Sequence, residues 1–187
     1  MSHNVPLASA SNFGVVKIGS GLSVSNGIVS LSAPEPMPTG YYGFLLSTTS
    51  ETNPVINTAN IVTFDTVGGA NGVSVISGTR VTVANAGTYQ GIFNCQLNRA
   101  GGGISNISIW AVLNGTAIPW SNSEFAIADN AVQRFVTSIY TATLAAGDYF
   151  QIYWSSPATS MQMLAQAAQV SPTRPATPAC RFSVTQV

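Results

Sequence analysis

The stretch VANAGTYQGIFNCQLN, residues 83–98, decides how the rest of the chain is read. After the turn formers Asn85-Ala86-Gly87, apolar and polar side chains alternate. Tyr89, Phe93, Cys95 and Leu97 take one side, and Gln90, Asn94, Gln96 and Asn98 take the other. A period of two over this length marks a strand with one face in a core and the other turned outward. Helical periodicity is almost absent elsewhere, so the fold is all-β.

Outward from that strand the same grammar continues. Thr, Val, Ile, Ser and aromatics dominate, and the strands expected are 41–47, 60–67, 73–77, 80–83, 88–98, 104–113, 132–143, 148–155, 160–166 and 179–187. Between them lie turn signals: Gly68-Gly69-Ala70-Asn71-Gly72, Asn85-Ala86-Gly87, Ala100-Gly101-Gly102-Gly103, Asn114-Gly115 and Ala145-Ala146-Gly147-Asp148. Residues 161–168 carry helix-forming Met, Leu and Ala, but Met161-Gln162-Met163 also alternates and is read as strand. Pro172 to Pro178 reads as an extended exposed loop.

The first 33 residues behave differently. FGVVKIGSGLSVSNGIVSLSA, residues 13–33, holds short strands around Asn26-Gly27, a strong signal for a type I′ hairpin turn. A lone hairpin is marginal in water. Residues 34–39, with Pro34, Pro36 and Pro38, form a semi-rigid linker. The expected organisation is a β-hairpin arm over 1–33, the linker over 34–39, and one domain over 40–187.

Two strands look apolar on both faces. In 106–113 one parity is Ile107, Ile109, Ala111 and Leu113, and the other holds Trp110 and Val112. In 148–154 one parity is Phe150, Ile152 and Trp154, and the other Tyr149, Gln151 and Tyr153. A two-layer sandwich has one interior, so a second apolar face calls for a second partner, and a subunit interface is the usual one. Trp110, Val112, Tyr149 and Tyr153 are therefore the candidate interface residues.

Composition excludes several functions. Only 6% of the 187 residues are charged, six basic against six acidic, so there is no basic footprint for nucleic acid. No run of about 18 apolar residues suggests a membrane span. Met1-Ser2-His3-Asn4-Val5-Pro6 lacks the basic and apolar regions of a signal peptide, so a cytoplasmic origin is expected. The sequons at Asn106 and Asn114 are then chance matches. The single histidine, His3, rules out a Ser/His/Asp or Cys/His arrangement, and the scattered acids offer no paired-carboxylate motif. No enzyme activity, cofactor or metal is expected. Asp65 and Asp129-Asn130 are conceivable calcium ligands in loops, and Asp129-Asn130 reads more simply as a plain turn. Trp120, after Ile118-Pro119, reads first as a cap over the sandwich and otherwise as a stacking surface for sugars. Cys95 and Cys180 both follow core parity and are read as buried free thiols rather than a disulfide.

Three segments together resemble the tumour-necrosis-factor and complement globular-head superfamily. They are AGTYQGIF, with Gly87, Tyr89 and Phe93; the strand ending at Asn114-Gly115; and LAAGDYFQIYW, with Leu144, Gly147, Asp148, Phe150 and Ile152. The resemblance spans about residues 40–187 and lacks the family's aromatic-Gly ending in the last strand. It implies an antiparallel jelly-roll sandwich and a compact homotrimer. Residues 13–33 are similar instead to GVVKVGxGLxVxxGxxSV segments in tail and head fibre proteins of phages, especially those of cyanobacteria. There, three copies wind into a small β-structure.

Together these imply a homotrimeric virion protein, assembled in a host cytoplasm. It would decorate and stabilise a capsid, docking on the major capsid protein or another virion protein. Phe13, Val15, Val16, Ile18, Leu22, Val24, Ile28 and Leu31 of the arm are the expected anchor. The alternative is a receptor-binding tip or short fibre, with residues 120–130 and 171–179 touching a glycan or protein of the host surface.

Overall fold

The computed structural model describes residues 22–25, 28–31, 40–128 and 133–187. The chain divides into two units, residues 1–39 and 40–187. In the first, β1 (Leu22–Ser25) pairs antiparallel with β2 (Ile28–Leu31), Leu22 opposite Leu31 and Ser25 opposite Ile28. That is the hairpin the Asn-Gly signal implied. Phe13, Val15, Val16 and Ile18, the Asn26-Gly27 turn and the proline linker lie outside the described residues.

The second unit is all-β. Its early strands are β3 (Tyr42–Ser47), β4 (Glu51–Thr52), β5 (Asn60–Ile61), β6 (Thr66–Asn71), β7 (Val73–Ile76) and β8 (Arg80–Val83). Then come β9 (Gly87–Arg99), β10 (Ser105–Leu113), β11 (Thr116–Ala117), β12 (Ser123–Ile127), β13 (Arg134–Leu144) and β14 (Tyr149–Ser155). The last are β15 (Met161–Met163), β16 (Gln169–Val170), β17 (Thr173–Arg174) and β18 (Cys180–Gln186).

They form two antiparallel sheets. In one, β9 is central, with β13 along one edge and β18 along the other, followed by β3 and β6; β15 and β4 extend it past the start of β18. In the second the order is β10, β14, β8, β7, with β11 and β12 on the outer edge of β10 and β5 on β14. The chain crosses between sheets from β8 to β9 to β10, and again from β12 to β13 to β14 to β18. That winding is a jelly roll. β9 sits at its centre because its alternation is clean. Tyr89, Gly91, Phe93, Cys95 and Leu97 are buried, and Gln90, Ile92, Asn94 and Gln96 between them are partly exposed. Facing them from the second sheet are Ile107, Ile109, Ala111, Phe150, Ile152 and Trp154, each with no exposed surface.

Four expectations are corrected. Gly68-Gly69 is not a turn but part of β6, opposite β3. The register there slips from Phe44–Gly69 to Leu45–Val67, which makes Gly68 a bulge. A Cβ at Gly68 would stand 2.7 Å from Cδ1 of Phe44, so only glycine lets that ring lie there. The real turn is at Gly72, with φ +66°. The expected strand 60–67 breaks into β5 and the start of β6. Of 160–166 only Met161–Met163 is strand, pinned to β9 because Met161 and Met163 bury completely. Finally, β12 falls in a segment read as loop; it pairs with β10 and buries Ile127.

Candidate interaction surfaces

The functional question is which surface meets a partner. On the outer side of the β10 sheet, Trp110 lies opposite Tyr153, and their ring centroids are 5.9 Å apart. Arg80 of β8 places its guanidinium 4.8 Å from the centroid of Tyr149. Val112 is 4% exposed and Gln151 is 6% exposed, its amide 3.3 Å from Thr79 Oγ1. The four candidate interface residues do share one face, as the parity argument required. Much of their apolar area is nonetheless already covered within the subunit: Val112 is buried, and Trp110, Tyr149 and Tyr153 are only partly exposed.

The opposite outer face, on the β9 sheet, is the more open one. Tyr42 and Phe44 on β3 are 47% and 38% exposed, and Phe135 and Ile139 on β13 are 59% and 62% exposed. Ile92 lies opposite both Ile139 and Ser183, and Ser183 lies opposite Phe44, so Ile139, Ile92 and Phe44 fall in one row from β13 to β3, with the small Ser183 between the last two. Parity in 132–143 carried this signal, since Phe135 and Ile139 are out of phase with buried Val136 and Tyr140. Beside this face, β13 has no strand on its outer edge among the described residues. From Phe135 to Leu144 that edge carries no charge. A cleft of about 650 Å³ lies between it and β12, lined by Glu124, Phe125, Arg134 and Phe135 among others.

Trp120 does not cap the sandwich. It is fully exposed, with φ +64°, on a turn held by Ser121. The Ser121 hydroxyl donates to Ile118 O at 2.7 Å and accepts from Ala111 N at 3.2 Å. The ring is thus presented from a fixed turn, beside a small cleft lined by Pro119, Ile139 and Thr141. Of residues 171–179, read as loop, Thr173–Arg174 is β17, which pairs with β16 just before the segment; both short strands are exposed, Val170 at 91%. A further cleft of about 540 Å³ lies between the end of β3 and the segments flanking that hairpin, lined by neutral residues such as Ser50, Ala165 and Thr177.

Neither calcium candidate gains support. Both carboxylate oxygens of Asp65 accept from Thr48 N at 3.0 Å, and they also accept from the hydroxyls of Thr48, Thr49 and Thr66. Asp65, immediately before β6, thus ties that strand to the residues that follow β3. Asp129-Asn130 lies outside the described residues. Among the described residues no three His, Cys, Asp or Glu side chains gather around one point. The arm's Leu22, Val24, Ile28 and Leu31 fall in β1 and β2.

No family model matches the chain, and no curated protein matches it. Solved structures do match, among them the crystal structure of murine APRIL at pH 5.0. It is 11% identical, has a TM-score of 0.46, and covers 79% of this chain and 99% of that one.

Proposed function

We propose that the chain is a structural protein of a phage virion, a homotrimer that decorates and cements the capsid through residues 1–33. The observation that carries this reading is the segment 13–33, whose pattern resembles phage fibre segments and whose β1 and β2 pair as a hairpin within the first of the two units. The eight apolar residues named as the anchor are too many for a solvated tail and too few for a core of their own. Burying each stabilises by roughly 1.5–3 kcal/mol, which ordering entropy partly offsets. Docking on a capsid subunit, or winding with two sister arms, meets that need.

The test is deletion of residues 1–33. The remaining jelly roll is expected to stay folded and trimeric while losing binding to particles that lack the protein. Full occupancy by the truncated protein would move the contact to the jelly roll. A second reading, the receptor-binding tip, is favoured by Trp120, because a fully exposed tryptophan on a pinned turn suits stacking on a sugar ring. Copy number separates the two: hundreds per particle for decoration, a few dozen or fewer for a fibre.

A further inference from the structure

Cys95 in β9 and Cys180 in β18 lie directly opposite each other across the sheet. The ladder shows which kind of pair they make. Val187 N donates to Thr88 O at 2.9 Å, and Gln96 N donates to Ala179 O at 3.0 Å. In the unbroken register from Cys180–Cys95 to Gln186–Tyr89, hydrogen bonds to β9 therefore fall on odd-numbered residues at the C-terminal end of the chain. Gln186 N turns the other way, to Tyr41 O on the β3 side, at 2.9 Å. Antiparallel pairs alternate, so Cys95 and Cys180 form a non-hydrogen-bonded pair, the kind whose Cα atoms approach to about 4.5 Å. That separation is within the reach of a disulfide.

Both side chains are 1% exposed, and the Cys180 thiol donates to Sδ of Met163 at 3.1 Å. Burial pushes both thiols far above their ordinary range, so neither is a thiolate near neutral pH. The pair is positioned to bond but chemically silent while β18 stays in the sheet.

We propose that Cys95 and Cys180 are a latent disulfide site, which closes when a disulfide oxidant meets the chain with β18 open and which fastens the C-terminal strand to the central one. In the first step one cysteine thiolate attacks a sulfur of oxidised glutathione, expelling one glutathione thiolate and leaving a mixed disulfide. The second cysteine thiolate then attacks the protein sulfur of that bond and expels the other glutathione. Two protein thiols become one disulfide, and one oxidised glutathione becomes two reduced ones.

The test uses the full chain, unfolded in guanidinium and refolded by dilution into oxidised and reduced glutathione. After quenching with iodoacetamide, intact mass is expected to be two hydrogens below the reduced chain with no alkyl group added. A digest should contain the peptide linking Cys95 to Cys180, and the melting midpoint should rise by about 10 °C. The native protein in the same buffer without guanidinium should close at least tenfold more slowly. Cys95→Ser should refold without an internal bridge, and if it does not fold, the linked peptide of the unaltered chain still decides. Refolded protein with two free thiols, with glutathione adducts only, or with a bridge that lowers the melting point would overturn the proposal.

Discussion

At the scale of single residues, the core turns on Phe182. Its ring is stacked 5.9 Å from Phe64 and meets Phe93 and Phe150 edge-on at 6.3 and 6.2 Å, so it touches residues of both sheets. Gly91 exists to make room for it. A Cβ there would stand 2.8 Å from the Phe182 ring, in the inward row of β9. Phe182→Ala is expected to cost about 3–5 kcal/mol, and Gly91→Ala about 1–3 kcal/mol by overpacking, both measured by urea unfolding. The inward set of β9 was legible as alternation, but the role of Gly91 was not, because no pattern in the sequence shows that another strand's ring fills the space beside it. Asp65 is a different case. Partial burial pushes its carboxyl up, but hydrogen bonds from Thr48, Thr66 and Thr49 outweigh this and hold it below the usual carboxylate range. A lowered pKa gives stability that is full above the unfolded value of about 4 and is lost as pH falls through the folded value. The acid limb of a stability-against-pH curve should therefore flatten in Asp65→Asn. An unchanged limb would mean the threonine contacts contribute nothing.

At the scale of elements, the turns are joined to one another rather than merely closing hairpins. Asn114-Gly115, with φ +50° and +82°, is the two-residue type I′ turn from β10 to β11. Asn114 Nδ2 donates to Asp148 Oδ1 at 2.8 Å, Tyr149 N donates to Asn114 Oδ1 at 3.0 Å, and Ala145 N donates to Asp148 Oδ2 at 2.7 Å. The two turns thus form one clip at the end of the β10–β14 ladder. Asp148→Ala is expected to lose about 1–2 kcal/mol, and the double variant with Asn114→Ala should be less than additive in urea unfolding. Strict additivity would show that the clip does not couple the two turns. Both turns were readable from Gly and Asn placement, since positive φ needs those residues. Two other features were hidden. The bulge at Gly68-Gly69 looks like a turn because glycine serves both, and only the opposing Phe44 distinguishes them. Strand β12 was hidden because it is five residues long and Ser123, Glu124 and Ala126 dilute the strand-forming Phe125 and Ile127, and its pairing is set by β10 across the sheet edge.

At the scale of the whole jelly roll, the surface decides how copies meet. With so few charges, little electrostatic repulsion keeps subunits apart, and exposed apolar area acts directly. The sequence drew attention to Trp110 and Tyr153, because aromatic residues out of core phase are easy to see. In three dimensions those two rings satisfy each other, and Arg80 lies over Tyr149. Phe44, Phe135 and Ile139 have no such cover, and they share a face with Ile92 beside the long uncharged edge of β13. Long uncharged edges are where chains add to one another unless another element blocks them. We therefore expect the proposed trimer to bury the β9-sheet face. By light scattering at micromolar concentration, the unaltered chain should exceed its 19.4 kDa monomer mass threefold. Ile139→Asp should reduce it to monomers that melt cooperatively, whereas Trp110→Ser should remain trimeric. The reverse pattern would put the contact on the Trp110–Tyr153 face. A monomeric unaltered chain would remove self-association altogether, and with it the trimer on which the decoration reading rests.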